Sequence, residues 1–343
     1  MRAAIQIGLS EIDVRDISVP GRDGALVRVV AAGVCGSDLH EYLQRSQPQS
    51  IPDGHEVAGE VVSLPKAYAG PIRIGDLVAI DTVCHGRACG ACVFCQAGQT
   101  FHCLERDKTQ GWGGGFADFI RRHPAGLFRL PPGMSAEQGA LVEPLAVGVH
   151  AVRRARMAPG ATVVIVGAGT IGLMALLAAQ ALGADKVHVV ARHAHQAAAA
   201  RTFGATTAVQ AEGDEAVWLV RDLTDGVGAD LVVEAVGRHA EPLELAWQLV
   251  RPQGSVAVLG IFPQPVLLNL LRPTLREVSI TFPICYGVID GRHDFEVAIE
   301  IIASGRVRTD GMVTHRFPLE QAAAAFQTAA DKSSGSLKVH IRP

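Results

Sequence analysis

Residues 162–172, TVVIVGAGTIG, constrain the fold of this 343-residue chain more than any other stretch. The first five form a continuous β-branched run, which is typical of a strand buried on both faces of a sheet. The glycines that follow permit a tight turn and the close approach of a pyrophosphate, whose charge a helix N-terminus stabilises. Because this G-x-G-x-x-G motif follows a strand and opens an apolar helical stretch, its context is that of a dinucleotide site. We therefore expect cofactor contacts from Gly167, Gly169, Thr170, Ile171 and Gly172.

Further strands are predicted after this turn over residues 187–191, 231–236 and 255–260, with helices between them. Such alternation predicts a doubly wound parallel sheet, whose ligands lie beyond the strand ends, where Gly237 and Gly260 stand. The uncharged residues 161–184 are long enough to span a bilayer, but their glycines instead fit a strand, a turn and a helix. We assign residues 151–285 to a dinucleotide-binding domain.

The end of the second strand in this series decides which dinucleotide binds. An acidic residue that contacts the ribose is expected about there, but the sequence has Ala191 followed by Arg192. Alanine removes the repulsion that a carboxylate would exert on a 2′-phosphate, and the Arg192 guanidinium offers it a charge-assisted fork worth about 1.5–3 kcal/mol. We therefore favour NADP over NAD. The alternative is that Arg192 is a solvated surface residue and that both cofactors are accepted.

The N-terminal third of the chain contains the ligand types of a catalytic zinc site. Residues 35–40, CGSDLH, follow a strand-like run over residues 26–32, and residues 54–56, GHE, come shortly afterwards. Catalytic zinc sites use three protein ligands and keep a further position open. Each residue alone is more often part of a core or a surface than a ligand, but the joint pattern favours ligation. The expected ligands are Cys35, His55 and Glu56, with Glu143 as a fourth that can come and go.

Residues 89–103 contain a second set of ligands, spaced C-x2-C-x2-C-x7-C. Thiolate-only tetrahedral sites are typical of closed, structural zinc, and two-residue gaps let backbone turns aim several thiolates at one centre. An iron–sulfur cluster and free thiols are the alternatives. Cys84 lies outside the spacing and is predicted to be a small buried hydrophobe. The expected structural zinc ligands, in a lobe over about residues 84–104, are Cys89, Cys92, Cys95 and Cys103.

Bulk properties exclude some classes of function. The formal net charge is -3 and no dense Lys/Arg run occurs, which argues against non-specific binding of nucleic acid or of anionic membranes. Hydrophobic residues make up 48% of the chain but aromatic residues only 5%, so aliphatic side chains must supply the core, as suits helices on a parallel sheet. The seven cysteines are odd in number and clustered, and the chain begins in a strand-like run. We therefore expect a cytoplasmic protein that uses its cysteines for metal rather than for disulfides.

The remaining segments predict a β-rich, barrel-like domain built from both ends of the chain, with the Cys35 and His55 segments at one mouth. A loop over residues 111–119 is expected to return to a strand, and Ser135 is expected to cap a helix that carries Glu143. The expected strands are residues 25–32, 57–63, 77–80, 312–317 and 337–341, and the expected tail helices are residues 295–303 and 319–330. We assign residues 1–150 and 286–343 to this domain.

Together these motifs resemble those of the zinc-containing medium-chain alcohol dehydrogenases, above all the sorbitol and threonine dehydrogenase branches. The resemblance covers essentially the whole chain and rests on residues 33–38, 54–56, 143–145, 167–172 and 313–319 and on the four-Cys lobe. It implies an α/β protein with a GroES-like β-barrel catalytic domain and a Rossmann domain, holding two zinc ions per chain and forming a cytoplasmic homodimer or homotetramer. The implied reaction moves a hydride between a secondary alcohol (a polyol, a diol or an amino alcohol) and NADP or NAD, forming a ketone.

The resemblance also implies roles for individual residues. Ser37 and His40 match the family's proton-relay positions, and Glu143 is an additional or water-linked zinc ligand. The segments on the nicotinamide side include Leu259, Gly260, Ile261 and Ile284. Two departures, Glu41 in place of a substrate-contacting aromatic residue and Cys285 in place of the arginine usual in the sorbitol branch, argue against a sorbitol-like substrate.

Three alternatives stay open at this point. One is a non-catalytic, zinc-stabilised binding protein of the same fold, and another is a zinc-free reductase of activated double bonds. The intact Cys35 and Gly169 argue against the first, and the intact metal set argues against the second. A third is an NADPH-dependent enzyme that works mainly in the ketone-reducing direction.

Overall fold

The computed structural model describes residues 1–19, 24–106 and 112–343. The chain divides into two compact units. The first consists of Met1–Glu143, Gly287–Ala303 and Thr309–Pro343, and the second consists of Pro144–Tyr286 and Ser304–Arg308. The first unit is therefore assembled from both ends of the chain.

The strands and helices are short and follow one another closely. The strands are β1 (Arg2–Gly8), β2 (Glu11–Asp16), β3 (Ala25–Gly33), β4 (Glu56–Ser63), β5 (Leu77–Asp81), β6 (Phe119–Arg122), β7 (Leu127–Arg129), β8 (Thr162–Val166), β9 (Lys186–Ala191), β10 (Thr207–Gln210), β11 (Ala229–Glu234), β12 (Val250–Val258), β13 (Ser279–Thr281), β14 (Val288–Ile289), β15 (Arg292–His293), β16 (Val313–Pro318) and β17 (Lys338–Arg342). The α-helices are α1 (Gly36–Gln44), α2 (Val93–Gln96), α3 (Ala136–Ala140), α4 (Val142–Arg154), α5 (Thr170–Ala181), α6 (Ala194–Thr202), α7 (Gly213–Leu223), α8 (Ala240–Leu249), α9 (Leu271–Leu275), α10 (Asp294–Ala303) and α11 (Ala322–Ala330). Single 3₁₀ turns occupy His85–Arg87, Thr100–His102, Pro124–Gly126, Leu319–Gln321 and Lys332–Ser334.

A mostly antiparallel sheet forms the body of the first unit. Its strand order is β16-β17-β3-β4-β5-β7, with β6 also paired to β3. Buried residues alternate with more exposed ones along β3, as expected for a strand with one face on a core. The core includes Val27 and Val57 from the sheet, and it is closed by Phe326 of α11, whose ring lies 5.3 Å from the rings of both Tyr42 and Phe116. The C-terminal helix and strands thus complete a core that the N-terminal strands begin.

The second unit is built on a parallel sheet. Its order is β10-β9-β8-β11-β12-β13, and the paired strands all run in the same direction. Along β8 every residue after Thr162 is buried, because helices cover both faces of such a sheet. The chain runs outward from β8 through β9 to β10 and then crosses back to β11 on the other side of β8, so β8 and β11 flank the point where the order reverses. Ligands of doubly wound sheets bind at that point.

Several predicted elements differ from those observed. Ser135 does cap a helix, with its Oγ accepting a hydrogen bond from the Gln138 backbone N–H, but this is the five-residue helix α3 and Glu143 lies on the next helix, α4. The strand predicted over residues 231–236 ends earlier, at Glu234, and the strand predicted over residues 255–260 ends at Val258. The predicted loop over residues 111–119 begins at a residue outside the described ranges, and its end joins β6.

The uncharged stretch over residues 161–184 divides into β8, the glycine turn and the 12-residue helix α5. Over the described ranges, no helix has both the length and the apolar character needed to cross a bilayer.

Three charged side chains link α3 to the C-terminal strands of the first unit: Glu137 of α3, Arg316 of β16 and Arg342 of β17. The Arg316 guanidinium donates from Nε to Glu137 Oε1 at 2.6 Å and from Nη2 to Oε2 at 2.9 Å, and Arg342 also donates to Oε1. These hydrogen bonds, those from Arg316 above all, lower the pKa of Glu137 to about 2 against the opposing effect of burial. The carboxylate therefore stabilises the folded chain only while it is ionised.

We predict that Glu137→Gln lowers the free energy of unfolding by about 1–2 kcal/mol near neutral pH, a discounted value because both arginines are largely exposed. Because the folded-state pKa is depressed, the contribution is complete above the unfolded-state pKa of about 4.5 and is lost as the pH falls toward 2. Thermal unfolding of parent and variant from pH 7 down to 3.5 measures this, with the exposed Glu11→Gln as control. A difference between parent and variant that stays constant over this range would contradict the assignment.

Candidate active site

Cys35, His55 and Glu56 meet because two neighbouring strands place them at the same end. Cys35 follows β3 and precedes α1, and Glu56 is the first residue of β4, paired in register with Gly33 of β3. The possible ligand atoms of the three side chains all lie within 4.8 Å of one another. The mixture of one sulfur, one imidazole nitrogen and one carboxylate oxygen suits zinc, so these residues fit the metal that the sequence predicts.

Gly54 sets the direction in which the His55 segment enters the site. Its φ of +102° lies in the left-handed region, and a Cβ at this position would lie 3.0 Å from the ring of Phe116. A larger residue would therefore be strained in its backbone and would press on the core at the same time.

Asp38 holds two of the candidate ligands, a role that the sequence analysis did not assign to it. Its Oδ2 accepts a hydrogen bond from the Cys35 backbone N–H at 2.8 Å, and its Oδ1 lies 3.6 Å from Nδ1 of His55. A buried carboxylate beside one ring nitrogen orients an imidazole ligand. The signal was present in the sequence, because Asp38 stands three residues after Cys35, where it can cap the first turn of α1.

The charge balance of the site favours a cation. Burial lowers the pKa of His55, but the Asp38 carboxylate and the Cys35 sulfur outweigh it and raise this pKa well above its ordinary value. The negative groups that favour a proton on the His55 ring also favour a metal ion there, because a proton and a metal ion both carry positive charge.

Lys338 is the second residue of the site that sequence reasoning missed. Its Nζ donates to Glu56 Oε1 at 2.7 Å and to the Val34 carbonyl oxygen at 3.0 Å, and both side chains are almost completely buried. The Glu56 carboxylate outweighs burial and raises the pKa of Lys338, so the ammonium keeps its charge. Over the described residues, Glu56 Oε2 has no hydrogen-bond donor, which leaves this oxygen available to a cation. The sequence gives no clear signal of this role, because Lys338 begins the short strand β17, KVHIR, in which basic and apolar residues alternate.

Glu143 lies nearby but outside the group of three. Its side chain is 5% exposed, and it does not belong to the set whose ligand atoms lie within 4.8 Å. Burial raises the pKa of Glu143 to about 8, with His55 acting in the opposite direction and Glu56 in the same one. These influences place Glu143 within electrostatic reach of His55 and Glu56, as a carboxyl group that burial keeps mostly protonated near pH 7 when no cation is bound.

Ser37 and His40 lie on α1, three residues apart and hence on one face of the helix. Ser37 is exposed and His40 is half-buried. On the same helix, Glu41 is exposed and pairs with Arg45, whose Nε lies 3.0 Å from Glu41 Oε2.

The four cysteines of the lobe converge as their spacing predicts. Their sulfur atoms all lie within 4.8 Å of one another, with 3.5 Å between those of Cys92 and Cys95 and 3.9 Å between those of Cys89 and Cys95. Zinc–sulfur bonds of about 2.3 Å in a tetrahedron require sulfur atoms about 3.8 Å apart, so the set fits zinc. The backbone N–H of Leu104 contributes most to lowering the pKa of Cys92 to about 6, and the Cys92 N–H donates to the Cys89 sulfur at 3.4 Å.

The cysteines, all within the described ranges, form no disulfide. Cys84 is 1% exposed, as predicted for a small buried hydrophobe.

The glycine turn of the second unit fits a pyrophosphate. Gly167 follows β8 with a φ of +96°, and a Cβ at Gly172 would lie 1.8 Å from the Gly167 carbonyl oxygen, so both positions require glycine. Gly169 is the N-cap of α5, and no atom lies within 4 Å of where its Cβ would be. Thr170 and Ile171 begin the helix, so its N-terminus, which favours an anion, lies beside this open space.

At the end of β9, the residues predicted to set cofactor specificity are joined by Glu212, which pairs with Arg192. Ala191 is completely buried, whereas Arg192 and Glu212 are 74% and 62% exposed, and Arg192 Nε lies 2.8 Å from Glu212 Oε1. Arg192 is therefore in an exposed ion pair rather than simply solvated.

The predicted nicotinamide-side residues of the second unit follow β11, β12 and β13. Gly237 and Gly260 approach so closely that a Cβ at Gly260 would lie 2.3 Å from the Gly237 nitrogen. The buried Glu234 carboxylate holds this contact by accepting hydrogen bonds from the Val236 and Gly237 N–H groups, at 2.7 and 2.8 Å. The other residues here are Leu259, half-buried, and Ile261 and Ile284, both exposed.

Comparisons with known proteins agree with this architecture. A model of the alcohol dehydrogenase GroES-like domain matches residues 21–132, and a model described as zinc-binding dehydrogenase matches residues 170–304. Sorbitol dehydrogenase from Bacillus subtilis is 32% identical over 353 aligned positions, which cover 100% of this chain and 97% of the relative.

Among solved structures, 2R,3R-butanediol dehydrogenase from Bacillus subtilis superposes with a TM-score of 0.82 at 28% identity, covering 100% of this chain and 99% of that one. A chain from Sinorhizobium meliloti, solved with NADP bound, superposes with a TM-score of 0.85 at 26% identity and with the same coverage. These matches confirm the predicted fold class, a GroES-like domain combined with a doubly wound parallel sheet.

We predict two tightly held zinc ions per chain after dialysis, one at Cys35, His55 and Glu56 and one at the four-thiol lobe. Cys35→Ser should reduce the zinc content from two to one, because hydroxyl oxygen is a far poorer zinc ligand than thiolate. Cys84→Ala, which removes a sulfur outside both sets, should retain two. Elemental analysis of the three proteins decides this, and a Cys35→Ser protein that still holds two ions would show that Cys35 is not a ligand.

Proposed function

This chain belongs to the zinc-containing medium-chain alcohol dehydrogenases, in their sorbitol dehydrogenase-like branch, and from that membership we propose which substrates, cofactor and residues it uses. It is a zinc-dependent alcohol oxidoreductase. The proposed reaction moves a hydride from a secondary alcohol, in the class of polyols, diols and amino alcohols, to a nicotinamide dinucleotide and leaves a ketone. The observation that carries the proposal is the convergence of Cys35, His55 and Glu56 within 4.8 Å.

The proposed catalytic domain comprises residues 1–150 and 286–343, and the proposed Rossmann domain comprises residues 151–285. Family membership favours a homodimer or homotetramer as the working form. The lobe of Cys89, Cys92, Cys95 and Cys103 is proposed to hold a structural zinc, because four thiolates leave no ligand position for a substrate.

Cys35, His55 and Glu56 are the proposed holders of the catalytic zinc, with Glu143 as the additional or water-linked ligand. A zinc ion bound there supplies a Lewis acid that polarises the substrate oxygen and lowers the pKa of the alcohol. Asp38 fixes the orientation of the imidazole, and Lys338 neutralises part of the charge on Glu56.

Ser37 and His40 are the proposed route for the proton that leaves the alcohol. The exposed hydroxyl of Ser37 and the half-buried imidazole of His40 lie on one face of α1, so a proton accepted near Ser37 can pass along this face toward His40. Imidazole suits the last position because one ring nitrogen can accept a proton while the other donates one.

The cofactor is proposed to bind along Gly167–Gly172 and the ends of β9, β11, β12 and β13. The N-terminus of α5 receives the pyrophosphate, and the contacts on the nicotinamide side come from Gly237, Leu259, Gly260, Ile261 and Ile284. The nicotinamide supplies the hydride acceptor, and the protein supplies its orientation.

We favour NADP over NAD, with Arg192 as the residue that contacts the 2′-phosphate. Ala191 brings no carboxylate to this position, and the chain from Sinorhizobium meliloti with NADP bound supports this choice within the same fold. Glu212 competes for Arg192, but an exposed ion pair is worth about 1 kcal/mol or less, so a dianionic phosphate can displace it.

Cys35→Ser should reduce kcat/KM at least about 1000-fold, because polarisation of the substrate oxygen supplies several kcal/mol of transition-state stabilisation. Polyols, diols, amino alcohols and aminocyclitols, tested with both cofactors, identify the substrate on which to measure it. Cys84→Ala should retain most of the activity, and near-ultraviolet circular dichroism checks that both variants are folded. Parent-like turnover by Cys35→Ser would refute the proposed mechanism.

The ratio of kcat/KM for NADP to that for NAD should exceed one in the parent and fall at least about tenfold in Ala191→Asp, because a carboxylate repels the 2′-phosphate.

Glu212→Gln should tighten NADP binding and leave NAD binding unchanged, since it releases Arg192 from its ion pair. Dissociation constants from fluorescence titration give a readout besides turnover, with Glu215→Gln on the same helix as control. A parent enzyme that prefers NAD would overturn this choice.

A further inference from the structure

A buried acid stands at the centre of the parallel sheet, at the end of the strands where a ligand is expected. Glu234 is the last residue of β11, and its neighbours in the sheet are Val166 of β8 and Val258 of β12. The strand order reverses between β8 and β11, and doubly wound sheets bind ligands beyond the carboxyl ends of the strands at that point. The Glu234 side chain is completely buried, although glutamate is rarely buried without a partner of opposite charge.

Glu234 connects the two loops that follow β11 and β12. Its Oε1 accepts hydrogen bonds from the Val236 and Gly237 N–H groups, at 2.7 and 2.8 Å. Its main-chain carbonyl oxygen accepts from the N–H groups of Leu259 and Gly260, at 2.8 and 3.2 Å. Glu234 is therefore bonded to residues that are proposed to contact the nicotinamide side of the cofactor.

The second oxygen of this carboxylate, Oε2, favours the ionised form. It lies 2.3 Å from where a Cβ at Gly260 would be, and over the described residues it has no hydrogen-bond partner. A proton on Oε2 would therefore be a buried donor without an acceptor. Burial raises the pKa of Glu234, but the N–H groups of Gly237, Val236 and Gly260 act in the opposite direction, because they stabilise the charge.

The Glu234 carboxylate has no positive side chain beside it. Within the part of the chain that the structure describes, burial and backbone N–H groups are the influences on the pKa of Glu234, and no charged side chain is among them. Glu56, by contrast, has the Lys338 ammonium at 2.7 Å. Backbone N–H groups carry no net charge, so this end of the sheet keeps an uncompensated negative charge in surroundings of low dielectric constant. Such a charge stabilises a cation that binds nearby.

Resting on the proposed function and its placement of the cofactor, we propose that Glu234 makes this site prefer the oxidised cofactor to the reduced one. The nicotinamide ring is cationic when oxidised, and addition of a hydride, which brings two electrons and one proton, leaves it neutral. The rest of the cofactor is the same in both forms. A fixed negative charge at the end of the sheet therefore stabilises the oxidised form selectively, whereas the hydrogen bonds that hold the two loops serve both forms alike.

This preference has a consequence for turnover in the direction of alcohol oxidation. The attraction between Glu234 and the ring disappears when the hydride arrives, so the reduced cofactor is held less tightly than the oxidised one would be in the same place. Release of the product cofactor is often the slow step of a dehydrogenase-type reaction, and the charge of Glu234 favours it.

The test compares dissociation constants for NADP⁺ and NADPH, and for NAD⁺ and NADH, measured by calorimetry on the zinc-containing protein without substrate. Glu234→Gln should lower the ratio of the reduced-form constant to the oxidised-form constant at least about fivefold, because it removes one charge at nearly constant shape. Glu234→Asp keeps the charge on a shorter side chain, so it should weaken both forms and change the ratio by less than about twofold. Glu215→Gln, at an exposed position on α7, should match the parent.

Near-ultraviolet circular dichroism checks that the variants are folded, and Glu234→Met, also uncharged and of similar length, gives the same comparison if Glu234→Gln folds poorly. An uncharged variant whose ratio stays within about twofold of that of the parent would overturn the proposal even if both forms bind more weakly, because a purely structural role weakens them alike. That result would leave the proposed function standing. A parent that binds neither pair of cofactors would instead overturn the proposed function, and the role of Glu234 with it.

Discussion

The pairing of β3 with β4 is the interaction on which the candidate active site depends. It puts Gly33 opposite Glu56, so that Cys35, two residues after Gly33, lies beside His55 and Glu56. The fit leaves no room for a side chain, because a Cβ at Gly33 would lie 2.0 Å from Glu56 Oε2. Since opposite residues in an antiparallel pair project on the same face, a shift by one residue would separate the ligands. The register of one pair of strands therefore decides whether a metal can bind.

Several carboxyl groups are buried in the molecule, and they are stabilised in more than one way. Glu56 has a buried lysine, and Glu234 has backbone N–H groups. Burial raises the pKa of Glu143 to about 8, so without a cation this carboxyl is mostly protonated near pH 7. Asp81 accepts hydrogen bonds from three backbone N–H groups and has two imidazoles at 3.7 and 3.9 Å as well. Because ionising a buried acid without compensation costs several kcal/mol, the partner that each has determines its chemistry.

The second unit uses backbone rather than side chains to make a binding surface. Gly167 and Gly172 allow the chain to turn under the N-terminus of α5, and Gly237 and Gly260 let two loops touch beyond the parallel strands. The strand order reverses between β8 and β11, and this is where doubly wound sheets bind their ligands, so we propose that these loops contact the cofactor there. We propose that cofactor specificity rests on the few side chains at the rim, where Arg192 and Glu212 form an ion pair that a 2′-phosphate would have to break.

The sequence by itself determined the features that depend on neighbouring residues. The β-branched run before the glycine turn, the thiol spacing of the lobe and most strands were predictable, because periodicity and turn chemistry are local. Only the tertiary structure decided that Lys338 pairs with Glu56, 282 residues away, and that His293 reaches Asp81. It also separated the helix capped by Ser135 from the one that carries Glu143. Such long-range contacts arise from the order and register in which strands from both chain ends close one sheet, and no local pattern encodes that order.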